Sequence, residues 1–125
     1  RLDDVANYVP ARLTAPLVSL AAGILCGSGT ASFRVLRRDG RNHSSPNAGL
    51  SEAAVSGALG LQLGGVSFYG GEPVPKPTLG DASREPQAQD IVRANGLMFA
   101  ATALFLVMCL GARLAVVSAF SRWGA

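Results

Sequence analysis

Charge is what this 125-residue chain has least of. Asp, Glu, Lys and Arg make up 15% of it, against about a quarter in soluble domains. Aromatic residues are scarce too, at 6%, and the net charge of +3 is dispersed. Without a basic surface interleaved with aromatics, a nucleic-acid-binding role is excluded. The two cysteines, Cys26 and Cys109, each sit inside an apolar run. They form neither a CxxC pair nor a disulfide framework, and are expected as buried free thiols acting as small hydrophobes. The chain has one histidine and no Walker-type GxxxxGKS/T, GxSxG, HExxH or zinc-ligand spacing, so the common motif-bearing enzyme classes are absent. It opens at Arg1 with no methionine or signal-peptide pattern, which leads us to expect a fragment of a longer protein.

What remains is apolar. Hydrophobic residues account for 49%, mostly Ala, Leu and Val, beside 15 glycines. That balance fits an all-α polytopic membrane protein. Leu13 to Phe33 carries no charged side chain over 21 residues, enough to cross a bilayer. Its glycines, serines and threonines predict close packing against other helices. A second span is expected over about 95–120, with Arg113 near its far end and Trp123 as an interfacial anchor. Between the spans, Arg34 to Arg93 holds seven of the eleven basic residues. The excess predicts that 34–93 forms long cytoplasmic loops, with both termini on the far side.

Before the first span, Asp3 and Asp4 suit the positive end of a helix dipole, and Pro10 is expected to interrupt or kink that helix. Asp3, Asp4 and Arg12 read either as an interfacial boundary with a local salt bridge or as one wall of a polar site. After the second region of loops, Gln87 to Asp90 leads into the last helix. Val66 to Pro86, with its glycines and prolines, reads as a loop whose length draws attention to function.

The polar centre of the chain is Arg38 to Glu52. It gathers two arginines, two carboxylates, the histidine, hydroxyls and two amides between apolar regions. Ser45-Pro46 is a good helix opening, and Ser51-Glu52 offers a second. Either start gives a short helix of small residues ending at Gly64-Gly65, buried or re-entrant. Arginine forks and a helix N-terminus both match phosphate oxygens, so Arg38, Arg41, Ser44, Ser45 and the amides near Asn47 are candidates to grip a phosphate. Asp39, Glu52, Glu72 and Asp81 are hard donors suited to Mg²⁺ beside nucleotide phosphates. His43 is suited to proton transfer.

Three stretches resemble the CbiB/CobD family of cobalamin biosynthesis, the adenosylcobinamide-phosphate synthases. They are RLDDVANYVPARLTA (Arg1–Ala15), RDGRNHSSPNAGLSEAAVSGALGLQLGG (Arg38–Gly65) and GGEPVPKPTLGD (Gly70–Asp81). The likeness is to the C-terminal part of that family, so residues 1–125 would be one piece of a multi-pass membrane domain. Where the family commonly reads HPSPNAGWPEAA, Ser44, Leu50 and Ser51 replace Pro, Trp and Pro, while the polar positions are kept. The resemblance implies ATP-dependent ligation of adenosylcobyric acid to aminopropanol phosphate in the inner membrane, with Mg²⁺ and ATP, lipid contact and association with other enzymes of the pathway. Our own residue-level reading beside it gives catalytic roles to Asp39, His43 and Glu52. Arg38, Arg41, Ser45, Asn47, Asp3, Asp4, Asn7 and Lys76 would bind substrate and phosphate, and Asp39, Glu72 and Asp81 the metal. Non-enzymatic alternatives are an AmpE-like sensor and a corrinoid-binding or transport subunit.

Overall fold

The computed structural model describes residues 2–123, the side chain of Trp123 excepted, so the readings of Arg1 and of Trp123 as an anchor lie outside the described residues. Five helices and a hairpin follow in the order α1 (Leu2–Ala6), α2 (Tyr8–Cys26), α3 (Gly29–Asp39), α4 (Ala48–Leu59), β1 (Leu63–Tyr69), β2 (Glu72–Leu79) and α5 (Gln89–Trp123). Asp3 and Asp4 lie in the first turn of α1 as expected. The break between α1 and α2 falls at Asn7, and Pro10 sits in the first turn of α2, where its missing N–H costs no intrahelical bond.

The uncharged stretch from Leu13 to Phe33 is not one helix. α2 ends at Cys26, Gly27 adopts the left-handed conformation with φ 68°, and the Ser28 N–H donates back to the Ala22 carbonyl at 3.2 Å. Those bonds close the helix C-terminus, and α3 then folds back onto α2. The reversal is tight enough that a Cβ on Gly29 would stand 2.9 Å from both the Gly23 Cα and the Ser19 carbonyl oxygen. The arginines after the apolar stretch are therefore not a loop following a span. Arg34, Arg37 and Arg38 ride on α3, which buries Ser32, Val35, Leu36 and Asp39 on its other side.

α4 is a short buried helix of small residues, as expected, although it starts at Ala48 and ends at Leu59, capped by Gly60, rather than at Gly64-Gly65. The core lies where α2, α3, α4 and the start of α5 meet. It is built from Ala15, Val18, Ala21, Ala22, Leu36, Ala54, Ala58, Leu59, Leu97 and Ala101. Alanine predominates because such helices approach closely, and a hydroxyl chain crosses the seam. Ser19 and Ser32 meet at 2.9 Å, and Ser32 Oγ donates to the Ala54 carbonyl at 2.7 Å, so these buried hydroxyls are satisfied.

Val66 to Pro86 is also not a plain loop, and the all-α expectation is corrected here. β1 and β2 pair antiparallel around Gly70-Gly71, with Tyr69 opposite Glu72, Phe68 opposite Pro73 and Val66 opposite Pro75. Two glycines with positive φ make the two-residue turn. Among the described residues the sheet has only these two strands, so each is an edge, where proline is tolerated.

α2 and α5 are both long and apolar enough to cross a membrane. α5 buries Leu97 and Ala101 near its start, and beyond them is largely exposed. Cys26 and Cys109 are free, as expected, but exposed rather than buried.

Candidate functional site

The polar loop after α3 is shaped by its own side chains. Asn42 N–H donates to the Asp39 carbonyl at 2.8 Å, and Ser45 N–H to His43 Nδ1 at 3.0 Å. Ser45 Oγ then accepts from the N–H groups of Asn47 and Ala48 at 3.4 and 3.3 Å. Ser45 thus serves the free amides ahead of α4 as its sequence position led us to expect, with the helix itself beginning three residues later.

Asn47 is buried and fastens the loop to the N-terminal helices. Its Nδ2 donates to the Asp4 carbonyl at 2.8 Å, and its Oδ1 accepts from Arg12 Nη1 at 3.3 Å. Arg12 also donates to the Tyr8 carbonyl at 3.0 Å and stacks 3.4 Å above the Tyr8 ring. The sequence reading of Arg12 as a boundary residue with a local salt bridge gives way to this arrangement, because its partners are neutral oxygens and an aromatic face.

Two clefts flank the Arg12–Asn47 contact. One, of about 310 Å³, has Asp3, Asp4 and Asn7 on one wall and Ser45, Asn47 and Ser51 on the other. It brings together five of the eight residues expected to bind substrate and phosphate. The other, of about 360 Å³, is rimmed by Arg12, Arg37 and Arg41 over a floor that includes Ala15, Leu36 and Leu50. Arg37 was read only as part of a topology signal; its place four residues before Arg41, across the end of α3, is the feature that identifies it.

Arg38 lies elsewhere. Its Nε and Nη2 donate to the two oxygens of Asp39 at 2.8 and 2.7 Å, and Nη2 lies 2.9 Å from Asp81 Oδ1. Gly80 N–H donates to Asp39 Oδ2 at 2.8 Å. This clasp ties the end of α3 to the end of β2. The Arg38 guanidinium holds the Asp39 carboxyl below the usual carboxylate range; the Gly80 N–H acts in the same direction, and burial opposes both.

His43 and Glu52 form a separate pair, with Nε2 at 3.7 Å from Glu52 Oε2. Because Nδ1 accepts the Ser45 N–H, the neutral ring carries its hydrogen on Nε2 and turns that hydrogen toward Glu52. The free lone pairs of the pair therefore belong to Glu52. Neither residue lines either of the two clefts.

The three carboxylates expected to hold a metal do not converge. Asp39 and Asp81 are engaged by Arg38, and Glu72 sits at the turn end of β2, roughly 23 Å of strand away from Leu79 at about 3.3 Å per residue. Among the described residues no group of three His, Cys, Asp or Glu side chains could hold a metal ion. Lys76 is likewise on the hairpin, with its ammonium bonded to the Tyr69 hydroxyl.

A second clasp escaped the sequence reading. Arg84 makes a two-pronged contact with Asp90 at 2.8 and 2.6 Å and donates to the Leu59 carbonyl at 3.0 Å. It fastens the entry of α5 to the end of α4, and i,i+6 spacing across a loop gives no periodic signal from which it could be read.

Comparison with known proteins agrees with these landmarks. The family model described as CobD/Cbib protein matches residues 1–98. The chain belongs to the CobD/CbiB family. Cobalamin biosynthesis protein CbiB of Salmonella typhimurium is 51% identical over 113 residues, which is 90% of this chain and 35% of that protein. Cobalamin biosynthesis protein CobD of Geobacter metallireducens is 49% identical over 108 residues, covering 86% of this chain and 34% of the relative. The CobD of Clostridium perfringens is 44% identical over 110 residues, covering 88% and 35%. The chain thus spans about a third of the length of these CobD/CbiB relatives. No solved structure matches it.

Proposed function

We propose that this chain is part of a membrane-embedded, ATP-dependent amide ligase of cobalamin biosynthesis, which joins adenosylcobyric acid to aminopropanol phosphate to give adenosylcobinamide phosphate. The cobalamin pathway rests on the CobD/CbiB membership. The reaction type is our own step, and one observation supports it. The motif from Arg38 to Glu52, on which the family likeness is centred, is folded as a buttressed loop between an arginine cleft and an acidic cleft.

In this reading a propionate oxygen of the corrin attacks the γ-phosphorus of ATP, and ADP leaves with the electrons of the broken P–O bond. The amine then attacks the acyl carbon, phosphate departs with the C–O electrons, and one amine proton passes to a base. Glu52 is the group we assign to that proton, since His43 presents N–H rather than a lone pair. The residues Asp39, Glu72 and Asp81 do not fit a common metal site, so no step is assigned to a metal held by them. Arg38 and Asp39 act in our reading as the fastening that positions the loop.

Membrane placement has support from two helices of spanning length and composition. We further propose that 34–93 faces the cytoplasm, where ATP is available, from its excess of basic residues.

The test is the reaction of the full-length protein with adenosylcobyric acid, aminopropanol phosphate and Mg-ATP. ADP and the amide product should appear in equal amounts and only when both co-substrates are present. ADP release that ignores either co-substrate overturns the ligase reading.

A further inference from the structure

We infer that the cleft rimmed by Arg12, Arg37 and Arg41 is a binding site for the phosphate of a small phosphomonoester, held without a metal ion. Three arginines line one cavity of about 360 Å³. Arg37 and Arg41 make no ion pair or side-chain hydrogen bond with the other described residues, whereas Arg38 between them is fully committed to Asp39 and Asp81. Unneutralised guanidiniums gathered in one place repel one another, and a dianion placed among them removes that repulsion while filling their donor forks.

Arg12 is already set in place for this task. Its stack on Tyr8 and its bonds to Tyr8 and Asn47 fix the side chain at the cleft wall, so binding costs little of the rotamer freedom that a mobile arginine would lose.

The chemistry of the lining separates phosphomonoester from nucleotide. A Mg-nucleotide site places carboxylates beside the phosphates to hold the ion. None of the cleft's lining residues is acidic, so the anion is neutralised by protein cations alone. The floor of Ala15, Leu36 and Leu50 gives a short aliphatic chain an apolar surface to lie on. Equating this ligand with the amine-bearing substrate rests on the ligase reading above; the cleft's preference for an alkyl phosphate does not.

A membrane lipid headgroup carries the same phosphate chemistry, and the test separates the two sources. Propyl phosphate is titrated by calorimetry into the full-length protein in nanodiscs of zwitterionic phosphatidylcholine, with propionate and Mg-ATP as comparison ligands. Saturable binding of propyl phosphate is expected, at least tenfold tighter than propionate and unaffected by removing Mg²⁺. The double variant Arg37→Ala, Arg41→Ala should weaken it at least tenfold, with the lysine pair restoring part of the loss. Arg34→Ala, on the same helix but outside the cleft, should leave it unchanged. Helical content and elution volume verify that each variant is folded.

Three results in the phosphatidylcholine nanodiscs overturn the proposal. They are no saturable binding of propyl phosphate, binding that is indifferent to the double variant, and tighter Mg²⁺-dependent binding of ATP that the double variant abolishes. In nanodiscs containing phosphatidylglycerol, unchanged propyl phosphate affinity supports a soluble ligand. Loss of that affinity assigns the cleft to lipid headgroups and overturns the small-ligand reading. A protein that binds propyl phosphate yet ligates nothing would leave the cleft standing and remove the ligase.

Discussion

Arg38 grips the carboxylate of its own sequence neighbour, Asp39, with both prongs of its guanidinium at 2.8 and 2.7 Å. Adjacent residues on a helix point in different directions, and here the long Arg38 side chain bridges the gap within the last turn of α3. The pair is closed from outside by Gly80 N–H and Asp81, which makes the α3 terminus and the hairpin base one unit. Asp39→Asn should therefore act on stability. Replacing a buried, charge-assisted acceptor is expected to cost about 1–3 kcal/mol, seen as a lower unfolding midpoint of the purified protein, and to disturb the hairpin base in hydrogen exchange before the helical core.

The same carboxylate gives a pH dependence of known sign. Its folded-state pKa is lowered, chiefly by Arg38. The stabilisation is fully present above the unfolded carboxylate value of about 4 and is lost as pH falls through the lower folded value. Melting temperatures of the natural protein and of Asp39→Asn, measured from pH 6 down to pH 2, should converge at the acid end. A gap that stays constant would show that the clasp contributes nothing through ionisation.

Gly49 sets the loop against the first turn of α4. A Cβ there would collide with the His43 Cβ and lie 2.9 Å from the Gly40 carbonyl oxygen. Alanine gains up to about 1 kcal/mol of helix propensity over glycine, whereas forced overpacking costs about 1–3 kcal/mol. The clash involves backbone and a Cβ, neither of which swings aside. Gly49→Ala is expected to be destabilising on balance and to displace His43 from Glu52, read as a lowered unfolding midpoint together with reduced turnover.

Orientation has its own test. Ser83 lies in the exposed connection between β2 and α5. In a background with Cys26 and Cys109 replaced by serine, since both are exposed, Ser83→Cys should react with a membrane-impermeant thiol reagent only after the cells are opened. Labelling of intact cells would reverse the proposed topology.

Periodicity and charge made the helical regions legible. The long apolar run of the final helix, the small-residue α4 and the acidic first turn of α1 were all readable, because apolar runs and dipole-matched charges are local signals. The turn at Gly27-Ser28-Gly29 was not. A reversal inside an uncharged run looks the same in hydropathy as helix packing through small residues, and only the left-handed Gly27 tells them apart. The hairpin was hidden by Pro73, Pro75 and Pro77, which argue against a strand in general. Pro73 and Pro75 stand opposite Phe68 and Val66, the alternate pairs to Tyr69–Glu72 and Ser67–Val74 that flank the turn. In an antiparallel ladder such alternate pairs point their N–H groups outward, so the edge strand loses no ladder bond. At the site, Asp3, Asp4 and Asn7 were singled out by residue type, and the fold sets them beside Ser45 and Asn47 in one cleft. The separation of Arg38 from Arg41 was not, since residue type shows the capacity to bind phosphate but not which carboxylate has already claimed the guanidinium.

Asn47 carries the account's central claim, that the loop works because it is fastened between the two clefts. The most direct measurement is kcat/KM of full-length Asn47→Ala in the proposed ligation of adenosylcobyric acid to aminopropanol phosphate. Losing both the Asp4 and the Arg12 contacts should misplace the loop and lower kcat/KM by about a hundredfold, as expected for an ångström-scale displacement at a reacting centre, with helical content retained. Turnover at the natural rate in a folded Asn47→Ala protein would contradict the account.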